Sequence, residues 1–360
     1  MSHVAISIVT WNSMKYLPEV LTSIARQTWT NRTLLIIDNA STDGSIEFVR
    51  EHYPDAVILR NSNNLGFARA HNQGIVYAKA HLQPVDGELF MLVTNPDIVM
   101  EPDYIEVVME QMMRNSEAGS AAGKLYKLYP GNAEEFSDSV RSNMIDTTGL
   151  RVYKSRRIVE RGAGEQDDAQ FARNEEVFGV SGALALYRLR ALEDVAETSG
   201  SGSGTSPGAM SGSVHYFDED FFVYKEDVDI AWRLQLRGWS SLFIPRAVAH
   251  HHRAASGAEK ASIVDLIRGR RRRSKTVNFF SCRNHLFLLA KNDHAMNTLL
   301  DMPRIIWYEA RKFLYFLFLE PAMLRAYFAF FRLLPRMRRK RRWNMQRAKV
   351  GWREMRKWFV

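Results

Sequence analysis

Four short apolar runs, Val4–Val9, Leu34–Ile37, Ala56–Leu59 and Leu89–Val93, alternate with stretches of helical periodicity. Pro18 opens the first helix, with Leu17, Leu21 and Ile24 on one face and an end near Gln27. A second helix is predicted from about Ser45 to His52, a third from about Ala68 to Ala80, and another from Pro102. Strand and helix alternating over short connections specify a parallel α/β sheet with right-handed crossovers. Ligands of such sheets bind at the carboxyl ends of the strands. Thr10, Asp38, Asn61 and Asp97 end the runs here and should line one edge. No GxGxxG follows the first strand and no GxxxxGK[ST] occurs, which argues against a nicotinamide-binding Rossmann enzyme and a P-loop NTPase.

The chain has 360 residues, 46% hydrophobic and 25% charged, enough for one large or two small globular domains. Cys282 is the only cysteine, so no internal disulfide forms, and a reducing compartment fits. No basic segment precedes a long apolar run at the N-terminus, so no signal peptide is expected. The net charge of +9 is uneven: Arg332–Val360 holds twelve Lys or Arg against one Glu, a net +11, which leaves about −2 for the rest. A second basic run, RGRRRRSK, covers Arg268–Lys275. Such runs bind anionic surfaces, nucleic acid or anionic lipid. Ile305–Leu334 is strongly apolar, but Glu309, Arg311, Lys312, Glu320, Arg325 and Arg332 interrupt it. No uncharged run there reaches the ~18 residues of a spanning helix. Helices lying in a membrane interface are expected, with packing of a helical pair on the body as the alternative.

Five carboxylates, Asp218, Glu219, Asp220, Glu226 and Asp227, crowd the head of the aromatic stretch Phe217–Trp239. Carboxylates so close to one another and to apolar bulk are costly unless something uses them. Ile230 and Leu234 then repeat at helical spacing, Asp229 can pair with Arg233, and Gly238 reads as the stop. Glu226 and Asp227 therefore fall at a helix N-terminus. Thr198–Ser213, Gly/Ser-rich and flexible, precedes this stretch as either a lid or an inert insertion. Val177–Arg188 is strand-like, and Ser241–Ile244 forms a strand leading to Pro245 and His250, His251 and His252. In an extended chain His250 and His252 face one way and His251 the other, so the three cannot close a metal site by themselves.

A carboxylate after the second strand can accept hydrogen bonds from a base or ribose. One after the fourth can hold Mg²⁺ or Mn²⁺ against a diphosphate, and one on a later helix can take a proton from a hydroxyl. The segments SIVTWNSMKYLPEVLTSIARQT, IIDNASTDGS, NNLGFARAHNQG, TNPD, VSGALALYR, FDEDFFVYKEDVDIAWRLQLRGW and IPRAVAHHHRAASG together resemble family 2 glycosyltransferases, in the rhamnosyltransferase-like branch. The resemblance covers about residues 3–292. It implies a GT-A nucleotide-sugar-binding fold, α/β with a mostly parallel central sheet, over residues 1–292, and the apolar and basic pattern beyond it gives amphipathic, membrane-associating helices over 293–360. It further implies an inverting transfer of a sugar, rhamnose from dTDP-rhamnose first among candidates. The acceptor would be a hydroxyl of a lipid-linked glycan or polysaccharide at the inner face of the cell membrane.

By the same resemblance, Asp227 is the general base, with Glu226 orienting or tuning it. Thr10, Asn12, Asp38, Asn64, Gly66, Asn72 and Asn95 serve the donor, Asp38 holding the base. Asp97 and either His250 or His251 hold a divalent cation. TNPD stands where the family usually has DxD, so Asn95 replaces the first carboxylate and weakens the cation site. Partners are then a nucleotide-sugar donor, a glycan or glycolipid acceptor and an anionic membrane surface. Nucleic acid is not expected, because strand-end carboxylates repel phosphates.

Overall fold

The computed structural model describes residues 1–129, 139–198, 214–252 and 274–360. The Gly/Ser stretch expected as a lid or insertion and the basic run Arg268–Lys275 lie outside these residues, apart from Thr198, Ser274 and Lys275. Alternation along β1 (His3–Thr10) divides the core: Val4, Ile6 and Ile8 join one apolar cluster and Ala5 the other. β1 can bury both faces because it pairs in parallel with β2 (Arg32–Asp38) on one side and β4 (Leu89–Thr94) on the other. β3 (Val57–Arg60) extends β2. Register places Thr10 beside Asp38, Asp38 beside Arg60, and Ile8 beside Thr94, so the strand ends meet at one edge.

The predicted helices form between these strands. α1 (Leu17–Ala25) starts with Pro18 in its first turn, α2 (Ser45–His52) follows Gly44 at φ 86°, and α3 (Gly66–His81) runs longer than expected at both ends. After β5 (Ile98–Met100), α4 (Tyr104–Arg114) packs with α1 on one face, and α3 packs on the other.

Beyond β4 the sheet is mixed. Its further strands are β6 (Ala118–Tyr129), β7 (Val140–Thr147), β10 (Glu175–Val177), β11 (Leu184–Arg188) and β14 (Ser240–His251); β8 (Leu150–Val152) pairs with β9 (Ile158–Glu160), and β12 (Glu197–Thr198) with β13 (Val214–His215). The main order is β10-β14-β6-β11-β4-β1-β2-β3, with β11 antiparallel to both neighbours and β14 parallel to β6. The run read as one strand, Val177–Arg188, is split between β10 and β11. β14 does not stop before Pro245 either; it continues to His251 through a register shift between Ile244 and Val248. Proline is tolerated within a strand at such an irregularity.

α5 (Leu189–Val195) and α6 (Glu226–Arg237) precede the C-terminal helices α7 (Lys275–Lys291), α8 (Ala295–Leu319), α9 (Leu324–Arg347) and α10 (Trp352–Met355). Apolar contact runs across residue 292. Trp232 and Leu236 of α6 share a cluster with Phe287, Met337, Met355 and Phe359. The end of the chain is pinned too: Val360 donates to the Val152 carbonyl at 3.0 Å and accepts from Lys154 at 2.8 Å. No described helix is long and apolar enough to cross a membrane.

His71 of α3 is buried against Ser7 Oγ, at 2.8 Å from Nδ1, and burial pushes it down to about 3. An unfolded chain binds that proton near 6.5, so the His71 contribution is fully present above about pH 6.5 and is lost as the pH falls toward 3. Thermal melts at pH 7 and pH 4 should differ less in His71→Asn than in the parent, by on the order of 3 kcal/mol. An identical pH dependence in the variant would contradict this.

Candidate active site

At the edge where β1 and β2 end, the Asp38 carboxylate is buried and accepts from Thr10 Oγ1 at 3.2 Å and from the Ser41 backbone at 3.1 and 3.2 Å. Arg60 Nε stands 3.5 Å away. Asn12, at φ 51°, ties the two strand ends together: it donates from its backbone to Ser41 Oγ and accepts from the Thr42 backbone, both at 2.9 Å. Asn39, which the sequence reading passed over, is buried and donates to Asn64 Oδ1 and to the Gly66 carbonyl, both at 3.3 Å. Asn64 in turn accepts from the Gly66 backbone at 2.9 Å. Gly66 is required there. Its φ is 80°, and a Cβ would lie 2.5 Å from both the ring and the carbonyl oxygen of Phe222. Asn72, deeper on α3, exchanges two hydrogen bonds with the Phe217 backbone, at 2.9 and 2.8 Å, and so anchors the acidic loop.

The three histidines at the end of β14 alternate as expected. His250 Nε2 meets Glu101 at 2.9 Å and His252 Nε2 meets Glu19 at 2.7 Å. His251 points the other way: Nδ1 is held by Asp146 at 2.8 Å, and Nε2 lies 3.2 Å from Asp97 Oδ1. Asp97 Oδ1 is buried and has no well-aligned hydrogen-bond donor among the described residues. Burial alone would lower His251, but the charges of Asp97 and Asp146 outweigh it and raise the imidazole to about 9. A second carboxylate cluster, Glu197, Asp218 and Asp229, is close enough to hold an ion. An ammonium already fills it: Lys291 Nζ lies 2.6, 2.6 and 2.9 Å from the three.

The TNPD turn leads to the start of α6. Asn95 donates to the Ala183 carbonyl at 2.9 Å, and the neighbouring Gly182 backbone donates to Asp227 Oδ2 at 2.9 Å. Gly182 also leaves the necessary room, since a Cβ would stand 2.9 Å from that of Asp227. Asp227 Oδ1 accepts from the Val228 backbone at 2.8 Å. Glu226 beside it is buried, and its Oε2 has no partner among the described residues. Burial, then the charge of Asp227, lifts its carboxyl to about 8, so it is neutral at pH 7. The site thus offers an anchored carboxylate at a helix N-terminus and, on the same edge, an Asp–His pair.

The chain matches the model of glycosyl transferase family 2 over residues 5–196 and that of glycosyl transferase family group 2 over 152–346. It is 28% identical over 277 residues to the N-acetylglucosaminyl-diphospho-decaprenol L-rhamnosyltransferase of Mycobacterium tuberculosis, covering 71% of this chain and 78% of that one. The glycosyltransferase GlyG of Streptococcus pneumoniae is 30% identical over 126 residues, 34% of this chain and 39% of its own. A crystal structure of GalNAc-T7 with UDP, GalNAc and Mn²⁺ shares the fold at a TM-score of 0.52 and 12% identity, over 79% of this chain and 50% of that one. This protein therefore belongs to glycosyl transferase family 2 and is a glycosyltransferase of the GT-A fold, similar to rhamnosyltransferases.

Proposed function

We propose that the enzyme transfers rhamnose from dTDP-rhamnose, with inversion, to a hydroxyl of a lipid-linked or polysaccharide acceptor in cell-surface glycan synthesis. The observation that carries the reading is the anchoring of Asp227. Its carboxylate is fixed by Gly182, one residue from the position that holds the TNPD turn. Asp227 takes the proton of the acceptor hydroxyl as that oxygen attacks the anomeric carbon. The bond to the nucleoside diphosphate breaks on the opposite side, which inverts the centre. Glu226, neutral at pH 7, adds no repulsion to the charge on Asp227. The relative from Mycobacterium tuberculosis carries a diphospho-decaprenol acceptor in its name, which supports the lipid-linked class.

Asp97 and His251 fit a divalent cation, Mg²⁺ or Mn²⁺. Their facing atoms are 3.2 Å apart, close to the roughly 3 Å between neighbouring ligands of one small ion. Asp146 would fix the ring by holding its other nitrogen. A bound cation supplies charge neutralisation for the departing diphosphate. Asp38, Thr10 and Asn12 are assigned to the nucleotide, with Asn64, Gly66, Asn72 and Asn95 shaping the donor edge.

α8 and α9 present Leu299, Ile306, Trp307, Phe318, Phe328 and Phe331 to solvent, each more than half exposed, among the exposed Arg304, Arg311, Arg325 and Arg332. Apolar and cationic side chains together suit an anionic lipid surface, at the inner face of the cell membrane where a lipid-linked acceptor resides.

Asp227→Asn should lower turnover by about 10²–10⁴-fold while calorimetry shows unchanged nucleotide-sugar binding, and Glu226→Gln should do less harm. An Asp227→Asn enzyme with most of its rate intact places the base elsewhere. Asp97→Ala should abolish the dependence of donor binding on Mn²⁺ without unfolding the protein; undiminished affinity with Mn²⁺ would rule Asp97 out. Binding to anionic vesicles should exceed binding to neutral ones and weaken with salt. Equal binding to both compositions would remove the electrostatic part of the reading.

A further inference from the structure

Between the 3₁₀ turn Glu219–Phe221 and α6, the backbone does something ordinary side chains resist. Phe222, Tyr224 and Lys225 adopt φ of 62°, 69° and 70°, three non-glycine residues in four positions. Such conformations persist only where the surroundings over-determine them, and they gather at functional sites. Here one buried side chain bonds three of the loop's carbonyls. Asn284 of α7, with no exposed surface, donates from Nδ2 to the carbonyls of Phe221 at 2.9 Å, Val223 at 2.9 Å and Tyr224 at 2.7 Å. With three carbonyls before it, only the amide nitrogen can face the loop. Its Oδ1 accepts from Arg283 Nε at 3.0 Å and Nη2 at 2.9 Å, and Arg283 Nη2 also reaches the carbonyls of Asp220 at 2.6 Å and Phe221 at 3.2 Å.

What this clamp holds connects the two halves of the site. The Phe222 carbonyl accepts from the Phe67 backbone at 2.8 Å and so caps α3 beside Gly66, at the donor edge. Three residues on, Lys225 is the left-handed residue that starts α6, and the first turn of that helix carries Asp227. The loop therefore sets how the α6 carboxylate stands relative to the donor edge.

We propose that Asn284, seconded by Arg283, is a positioning residue for the transfer reaction: it holds the 222–225 loop in its strained form and thereby aims Asp227. The proposal rests on Asp227 acting as the base. The clamp bonds the loop and leaves the β1 and β2 ends assigned to the nucleotide untouched, so its loss should fall mainly on the rate of the chemical step.

The test is Asn284→Ala in the full-length enzyme with dTDP-rhamnose, or with whichever nucleotide sugar supports turnover by the parent. A misplacement of the order of an ångström costs about 10²-fold, so kcat should fall by roughly 10–100-fold. Donor affinity by calorimetry should stay within about 2-fold of the parent, since the clamp bonds α7 to the loop and leaves the β1 and β2 ends alone. Hydrogen exchange should accelerate in peptides covering 218–228 and stay unchanged in β1–β4. If Asn284→Ala does not fold, Arg283→Lys, which keeps the charge but loses the fork on Asn284, carries the same expectation at about 3–10-fold in kcat. An unchanged kcat, or a lost kcat with unaltered exchange in 218–228, overturns the proposal. The exchange readout does not depend on which group takes the proton. An active Asp227→Asn enzyme with a loosened loop in Asn284→Ala would therefore fault the base assignment and leave the clamp standing.

Discussion

Lys291 has no exposed surface and ends among Glu197, Asp218 and Asp229. An ammonium in such a place is tolerable only with full compensation, and removing one partner of a buried ion pair costs about 3–5 kcal/mol. The compensation is extensive. Asp229 also holds Arg233 at 2.8 Å, and Lys340 of α9 pairs with Asp218 and, at 2.8 Å, with Asp220. Burial would lower Lys291 and raise Asp218, but the surrounding opposite charges reverse both directions. One charge network thus fastens β12, the acidic loop, α6, α7 and α9 together. The carboxylate crowding that is so costly on paper is the means by which the C-terminal helices become part of the catalytic body.

That arrangement explains which parts of the molecule can be read from sequence and which cannot. The strands and helices of the first half show themselves because each buries a periodic apolar face: α2 forms over Ser45–His52 as read. The start of α6 shows itself for the same reason, together with Gly238 at φ 86° as its stop. The alternation of His250, His251 and His252 is a property of any extended chain. Which of them meets Asp97 is not, because that depends on β5 pairing with the end of β14. Asp146, Asn39 and Asn284 carry no local pattern at all. Their partners lie far along the chain, 105 residues away for Asp146 and His251. Polar residues whose role is to satisfy distant backbone or ring atoms look like any others until the fold brings those atoms near. Asn72 shows the converse: it sits in a recognisable segment, yet its amide is occupied by the Phe217 backbone.

The basic C-terminal stretch makes the last distinction, between how much charge a segment carries and where the charge goes. Counting Lys and Arg there suggests a uniformly outward tail. Helical periodicity says otherwise, since residues four apart share a face. In α9, Arg336 meets Asp220 at 2.8 Å, Lys340 meets Asp218 and Asp220, Asn344 donates to Asn292 at 2.9 Å, and Met337 beside this stripe is fully buried. These positions form an inward stripe, in which Arg336 and Lys340 neutralise carboxylates of the acidic loop. Arg338, Arg339 and Arg342 fall between them and are exposed. The outward half is exposed, and the inward half is already committed to the loop that leads into α6. A single helix therefore stands with one face on solvent and the other on the residues preceding Asp227.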